Sequence, residues 1–117
     1  MSGCKARVAF ICDSPVLRLV MQRQLLSLDY ACSGFEKNPG NLVLRNFDFV
    51  FVELMHYEEN GFSLIRWLGL KITVPLILVT GTGRESDLHW GNTTGAAAVL
   101  ARPLCKSALV QVLEQGR

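Results

Sequence analysis

Residues 47–54 read FDFVFVEL, the most continuous apolar run in this chain of 117 residues. A short run of aromatic and β-branched residues with little polar alternation is typical of a strand that is buried on both faces of a sheet. The run reaches an acid, Glu53, near its carboxyl end. It therefore predicts the central strand of a parallel sheet, with a carboxyl group where the strand finishes.

Strands and helices alternate on both sides of this run. Four more short strands are predicted, at residues 7–11, 30–35, 75–80 and 97–101. Five helices are predicted, at residues 16–28, 41–46, 61–70, 84–92 and 104–114. Alternation of this kind predicts an α/β fold: a doubly wound parallel sheet with helices on both faces. Ligands of such sheets bind outside the carboxyl ends of the strands, so the residues that follow each strand are the candidates for function.

The first helix has clear sequence signals. Ser14 is a suitable N-cap and Pro15 suits the first helical position, where its missing N–H is not needed. The apolar residues at helical spacing are predicted to face the sheet, and they are Val16, Leu17, Val20, Met21, Leu25 and Leu28. Arg18, Gln22 and Arg23 are predicted to point outward.

Composition limits the classes of function. Half of the residues are hydrophobic and the net charge is only +2, which predicts one domain over residues 1–117 and gives no basic block for nucleic acid. No apolar stretch approaches the roughly 18 residues of a membrane span. The four cysteines form no CxxC pair. We therefore expect a cytoplasmic protein with free thiols, no membrane segment and no zinc site.

Three segments together resemble a known family. They are FDFVFVELMHYEENGFSLIRWL from residue 47, PLILVTG from residue 75 and GAAAVLARPL from residue 95. In order and spacing they are similar to the receiver domain of two-component response regulators, the family of the single-domain chemotaxis regulator. The resemblance covers nearly the whole chain and implies a flavodoxin-like three-layer sandwich of strand order 2-1-3-4-5.

The resemblance also implies a set of site positions. In the family an acidic pair holds Mg²⁺, an Asp accepts the phosphoryl group, and a hydroxyl and a lysine bind the phosphoryl oxygens. A switch aromatic and a cis-proline complete the pattern. The matching positions here, in that order, are Cys12 and Asp13, Glu53, Thr80, Arg102, Val99 and Pro103.

Four of these positions depart from the family. Cys12 offers a soft thiol where Mg²⁺ prefers oxygen. Glu53 is longer than Asp by a methylene, which moves its carboxyl by about 1 Å, and phosphoryl transfer depends on positioning at that scale. Arg102 replaces a point charge with a planar fork, and Val99 has no ring. The sequence therefore predicts a degenerate pseudo-receiver with no catalytic residue and no Mg²⁺ cofactor.

Several alternatives remain open at this stage. Either Glu53 and Arg102 form an ion pair beside Thr80, or Glu53 faces solvent while Arg102 covers a strand end. Glu53 either is inert or mimics a phosphorylated acceptor and holds the domain constitutively active, in this chain or as the N-terminal regulatory domain of a longer response regulator. A flavodoxin-like flavin protein is disfavoured, because no Ser/Thr-rich phosphate loop follows the first strand.

The expected partner is a protein in a bacterial signalling or phosphorelay pathway. The resemblance implies docking, or a homodimer, through the face of the fourth helix, fifth strand and fifth helix. Trp90 and Leu88 in the predicted fourth helix are candidate contacts, and Trp67 in the predicted third helix is another. The alternatives are that Trp90 packs on the edge of the core and that Trp67 packs under the loop from Met55 to Asn60.

Overall fold

A five-stranded parallel sheet forms the centre of the structure, a computed structural model that describes residues 5–37, 39–53, 73–80, 97–101 and 104–115. The strands are β1 (Arg7–Ile11), β2 (Ala31–Phe35), β3 (Phe49–Glu53), β4 (Leu76–Thr80) and β5 (Ala98–Ala101). Their order is β2-β1-β3-β4-β5 and all the pairs are parallel. The predicted α/β class and strand order are confirmed.

The third strand is central, as its composition predicts. All five residues of β3 are buried, and the strand pairs with β1 on one side and β4 on the other. The edge strand β2 is less buried and contains Gly34. A continuous apolar run thus fills the position that has neighbours on every side, and the more polar strand lies at an edge.

Alternate strand residues fill two separate cores, one on each face of the sheet. One core contains Val8, Phe10, Phe51 and Val79 and is covered by the first and last helices. The other contains Ala9, Ile11, Val50, Val52, Leu76 and Leu78, together with Leu44 of the second helix. Because successive side chains of a strand point to opposite faces, both cores arise from the same apolar runs.

The first helix, α1, spans Pro15–Leu26 and begins as the sequence predicts. The Ser14 hydroxyl accepts a hydrogen bond from the Leu17 N–H at 3.3 Å, and Pro15 occupies the first turn. The helix ends before the predicted Leu28, in a turn that takes Asp29 to a positive φ of 68°.

Two of the six residues that are predicted to face the sheet from α1 are exposed instead. Met21 and Leu25 are buried against the sheet, but Val16 and Val20 are 68% and 46% exposed. Leu19 is exposed as well. Apolar residues occupy more of the circumference of α1 than the sheet can cover, so periodicity alone does not select the buried stripe.

Two further helices are described. The second, α2, is a single turn at Asn41–Leu44, which confirms the short helix predicted after Pro39 and Gly40. The last, α3, spans Lys106–Gln115 and buries Leu109 and Leu113 against the same core as α1. The helices predicted at residues 61–70 and 84–92 lie outside the described residues. Among the helices described, none has the length and apolar character needed to cross a membrane.

Tyr30, between α1 and β2, is buried in the core that α1 and α3 cover, with 1% of its surface exposed. The Lys5 ammonium lies 5.8 Å from the centroid of its ring. Within the described part of the chain the buried hydroxyl has no hydrogen-bond partner. A buried hydroxyl without a partner loses its hydration and gains nothing in return.

We therefore expect Tyr30→Phe to raise the free energy of unfolding by about 1 kcal/mol, because the ring stays and only the hydroxyl is removed. Urea denaturation measures the change. Tyr30→Leu, which also removes ring volume, should lower stability and serves as the control. A loss of stability in Tyr30→Phe would show that the hydroxyl is satisfied in the folded protein.

Candidate functional site

The parallel register brings the carboxyl ends of β1, β3 and β4 to one edge of the sheet. Ile11 pairs with Val52, so that Cys12 and Asp13 follow β1 beside Glu53 at the end of β3. Glu53 pairs with Val79, and Thr80 is the last residue of β4. The edge at which the sequence predicts a site therefore contains the backbone of Cys12, Asp13, Glu53 and Thr80.

Cys12 is a buried thiol at this edge. Its sulfur accepts a hydrogen bond from the Ser14 N–H at 3.4 Å. Burial raises the pKa of the Cys12 thiol; the Ser14 N–H acts in the opposite direction, and the carboxyl groups of Glu53 and Asp13 raise the pKa further. Cys12 is therefore a protonated, neutral group at neutral pH and not a thiolate.

The two acids at the edge differ in their exposure. Asp13 is exposed, whereas Glu53 is 0% exposed and is the one charged residue that is fully buried among those described. Full burial separates the carboxyl group of Glu53 from solvent and from any reagent that would have to approach it.

Arg18 of α1 belongs to the same group, although the sequence predicts that it points outward. Its Nη1 donates a hydrogen bond to the Cys12 carbonyl oxygen at 2.5 Å, and its charge lowers the pKa of the Cys12 thiol. The charges of Asp13, Arg18 and Glu53 therefore all act on the Cys12 thiol, and we call these four residues the strand-end cluster.

Sequence reasoning missed Arg18 because the cause lies on another strand. A Cβ atom at Gly34 of β2 would be 2.8 Å from the Arg18 Cδ, so the arginine stem lies directly against the glycine. A glycine inside a strand often marks the close approach of another group. Gly34 is the signal by which the contact is detectable in the sequence.

The structure describes the other predicted site residues to different extents. Thr80 ends β4 as predicted, and nothing is described of its hydroxyl. Val99, the position of the switch aromatic, lies in β5, partly buried against the core that α2 covers. The positions that fall outside the described residues are Arg102, Pro103, Trp90, Leu88 and Trp67. The predicted ion pair between Glu53 and Arg102 therefore stays a prediction.

The strand-end cluster is a poor donor set for Mg²⁺. The ion requires several oxygen ligands in near-octahedral geometry, and Cys12 supplies a neutral sulfur in place of one carboxylate. Within the described ranges, no group of three His, Cys, Asp or Glu residues is arranged to hold a metal ion.

Comparison with known proteins agrees with this architecture, although no family model matches the chain. The Arabidopsis thaliana two-component response regulator ARR2 is 25% identical over 111 residues, which is 91% of this chain and 17% of that protein. The Bacillus subtilis transcriptional regulatory protein ResD is 25% identical over 95 residues, 81% of this chain and 39% of that protein. The chain is similar to response-regulator receiver domains in sequence and in fold.

Solved structures share the receiver fold over nearly the full chain. Vibrio cholerae chemotaxis protein CheY4 superposes with a TM-score of 0.80 at 18% identity and covers 96% of this chain and 98% of that one. A Burkholderia pseudomallei response regulator with a phosphorylated aspartic acid gives 0.76 at 23% identity, over 92% of this chain and 65% of that one. The chain spans less than half the length of the curated relatives reported above.

The cysteines that the structure describes differ in their exposure and in the pKa of their thiols. Cys105 is exposed just before α3, and the Ser107 hydroxyl at 3.2 Å, followed by the Ala108 N–H, lowers the pKa of its thiol. Burial raises the pKa of Cys32 in β2 to about 12.

We expect iodoacetamide at neutral pH to modify Cys105 at least about tenfold faster than Cys12 or Cys32, because the thiolate is the nucleophile and must be accessible. Peptide mapping by mass spectrometry reads each cysteine separately. Cys105→Ser should remove this fast site and leave Cys12 and Cys32 unmodified until urea unfolds the protein. Equal rates at Cys12 and Cys105 would contradict the described burial of Cys12.

Proposed function

We propose that this receiver domain is degenerate and signals through protein–protein interaction, without accepting a phosphoryl group and without Mg²⁺. The observation that supports this most strongly is that Cys12 lies beside Glu53. A buried neutral thiol lies where the resemblance places a metal-binding acid, and it lies beside a fully buried Glu at the acceptor position.

Both features act against phosphoryl transfer. The attacking oxygen must approach the phosphorus in line, and the cation must neutralise the charge that develops on the transferred group. Glu53 is longer than Asp and closed to solvent, while Cys12 removes a ligand that would hold the cation. We further propose that the chain is a single, non-enzymatic cytoplasmic domain that itself binds neither nucleic acid nor membrane. The bacterial pathway stays a prediction, since the curated relatives come from plants and bacteria.

An exposed apolar face on α1 supports a docking role. Its members project from one side of the helix and are 46–70% exposed: Val16, Leu19, Val20 and Leu26. Contiguous exposed apolar residues are typical of interaction surfaces. The predicted docking residues Trp90, Leu88 and Trp67 remain candidates, as does a homodimer through the face that includes β5 and α3.

The second candidate function is a constitutively active receiver. Its support is the position of Glu53, whose carboxyl group is buried at the end of β3, where the phosphorylated aspartate of an active receiver is expected. In this case the negative charge of Glu53 is required for partner binding, whereas an inert Glu53 is dispensable.

Incubation with acetyl phosphate and Mg²⁺ tests the main proposal. We expect intact-mass spectrometry to show no added phosphoryl group, because the acceptor is buried and the metal site lacks an acid. The Burkholderia pseudomallei response regulator that carries a phosphorylated aspartic acid is the positive control. A stoichiometric gain of one phosphoryl group that disappears in Glu53→Gln would overturn the proposal.

Affinity capture followed by mass spectrometry tests the docking role. We expect Val20→Glu to reduce recovery of a specific partner at least about tenfold, because it places a charge in the centre of an apolar contact. Leu42→Glu, on α2 across the sheet and 68% exposed, is the matched control. Trp90→Ala examines the other predicted face. Loss of the same partner in Glu53→Gln would favour the constitutively active receiver, and equal recovery from Val20→Glu and the wild type would exclude α1.

A further inference from the structure

Residues 12–14 connect β1 to α1, and Cys12 attaches this connection to its neighbours. Its N–H donates a hydrogen bond to the carbonyl oxygen of Phe35, the last residue of β2, at 2.9 Å. Its own carbonyl oxygen accepts a hydrogen bond from the Arg18 Nη1, and its sulfur accepts one from the Ser14 N–H. The end of β1 is therefore bonded to β2, to the loop that follows it and to α1.

The stem of Arg18 lies against the same end of β2. The point where a Gly34 Cβ would be is 3.2 Å from both the Cβ and the Cγ of Arg18 and 2.8 Å from its Cδ. Gly34 directly precedes Phe35, whose carbonyl oxygen binds the Cys12 N–H. A glycine at this position therefore leaves room for the arginine to lie close to β2 and to reach back to Cys12.

The first half of α1 has few anchors in the core. The two buried residues of the helix, Met21 and Leu25, both lie in its second half. In the first half, Leu17 and Arg18 are half-buried, and the other four residues are exposed: Pro15, Val16, Leu19 and Val20. Attachment of this half to the sheet therefore depends on Leu17 and on the contacts of Arg18.

We propose that Arg18 is a lock that closes the β1–α1 connection and holds the first half of α1 in one orientation on the sheet. The chain from Cys12 to Arg18 forms a ring, which the guanidinium closes by its hydrogen bond to the Cys12 carbonyl oxygen. Arg18 is thus a positioning residue that acts through the backbone of Cys12. This role is independent of whether Glu53 accepts a phosphoryl group.

The lock gives the exposed apolar face of α1 a fixed direction. Val16, Leu19 and Val20 of this face belong to the half of the helix that Arg18 holds. A surface that is ordered before binding loses less conformational entropy when a partner docks. For the docking role proposed for this face, the lock therefore lowers the entropic cost of binding.

Native-state hydrogen exchange of the whole chain, detected by NMR at each amide, tests the proposal. Arg18→Met removes the guanidinium and keeps an unbranched stem against Gly34. We expect the protection of the Cys12 and Leu17 amides to fall at least about tenfold relative to the amides of β3, because a hydrogen bond from a charged donor is lost. The connection then opens locally, whereas the central strand opens only when the whole domain unfolds.

Two further variants make the result specific. Arg23→Met removes the same kind of side chain from an exposed position in the second half of α1 and should leave the ratio as in the wild type. Gly34→Ala keeps the guanidinium but fills the space of the stem, and should reduce the same local protection. Gly34 does not have a positive φ, so alanine fits its backbone. This variant also decides the question if Arg18→Met does not fold.

The outcomes separate the lock from the proposed function. Unchanged protection of Cys12 and Leu17 relative to β3 in Arg18→Met would overturn the lock, as would an equal loss in Arg23→Met. A fall of the same size at β3 would also overturn it, because Arg18 would then stabilise the whole domain and not this connection. Uptake of phosphate from acetyl phosphate by the wild type would instead overturn the proposed function.

Discussion

The parallel pairing of β1, β3 and β4 is the constraint on which the rest of the structure depends. These strands are covered on both faces, so polar groups meet water only where a strand begins or finishes. The register then decides which residues share the carboxyl edge, and it places Cys12 next to Glu53. Any substitution at one of these positions changes the electrostatic environment of the other, because both lie in the same largely dehydrated space.

The carboxyl edge of the sheet carries less negative charge because one of its buried residues, Cys12, is a neutral thiol. A protonated Cys12 adds no negative charge to the edge, and burial keeps its pKa raised. Asp13 stays in contact with solvent, where water screens it. Desolvation is most costly for Glu53, because a fully buried carboxyl group requires compensating interactions. In the proposed function, the receiver scaffold is kept while the negative charge at its carboxyl edge is reduced.

Sequence patterns predicted the strands and their central member because uninterrupted apolar runs such as β3 have one physical solution, burial on both faces. The Ser14 cap was equally predictable, since it depends on neighbouring residues alone. The buried face of α1 was only partly predictable, because apolar residues occupy too much of its circumference. Arg18 was not predictable from its own helix, as its direction is set by Gly34 on another strand. Local rules therefore succeed where the cause is local and fail where a distant backbone supplies it.

The contact between Arg18 and Gly34 also links the histories of the two positions. A residue larger than glycine at position 34 collides with the arginine stem, so it is acceptable only in a chain whose residue 18 is already short or turned away. In the opposite order, with the arginine lost first, no collision arises, and a larger residue can then replace the glycine that remains in β2. Substitutions at these two positions are therefore tolerated in one order and opposed in the other, so the two positions are expected to change together.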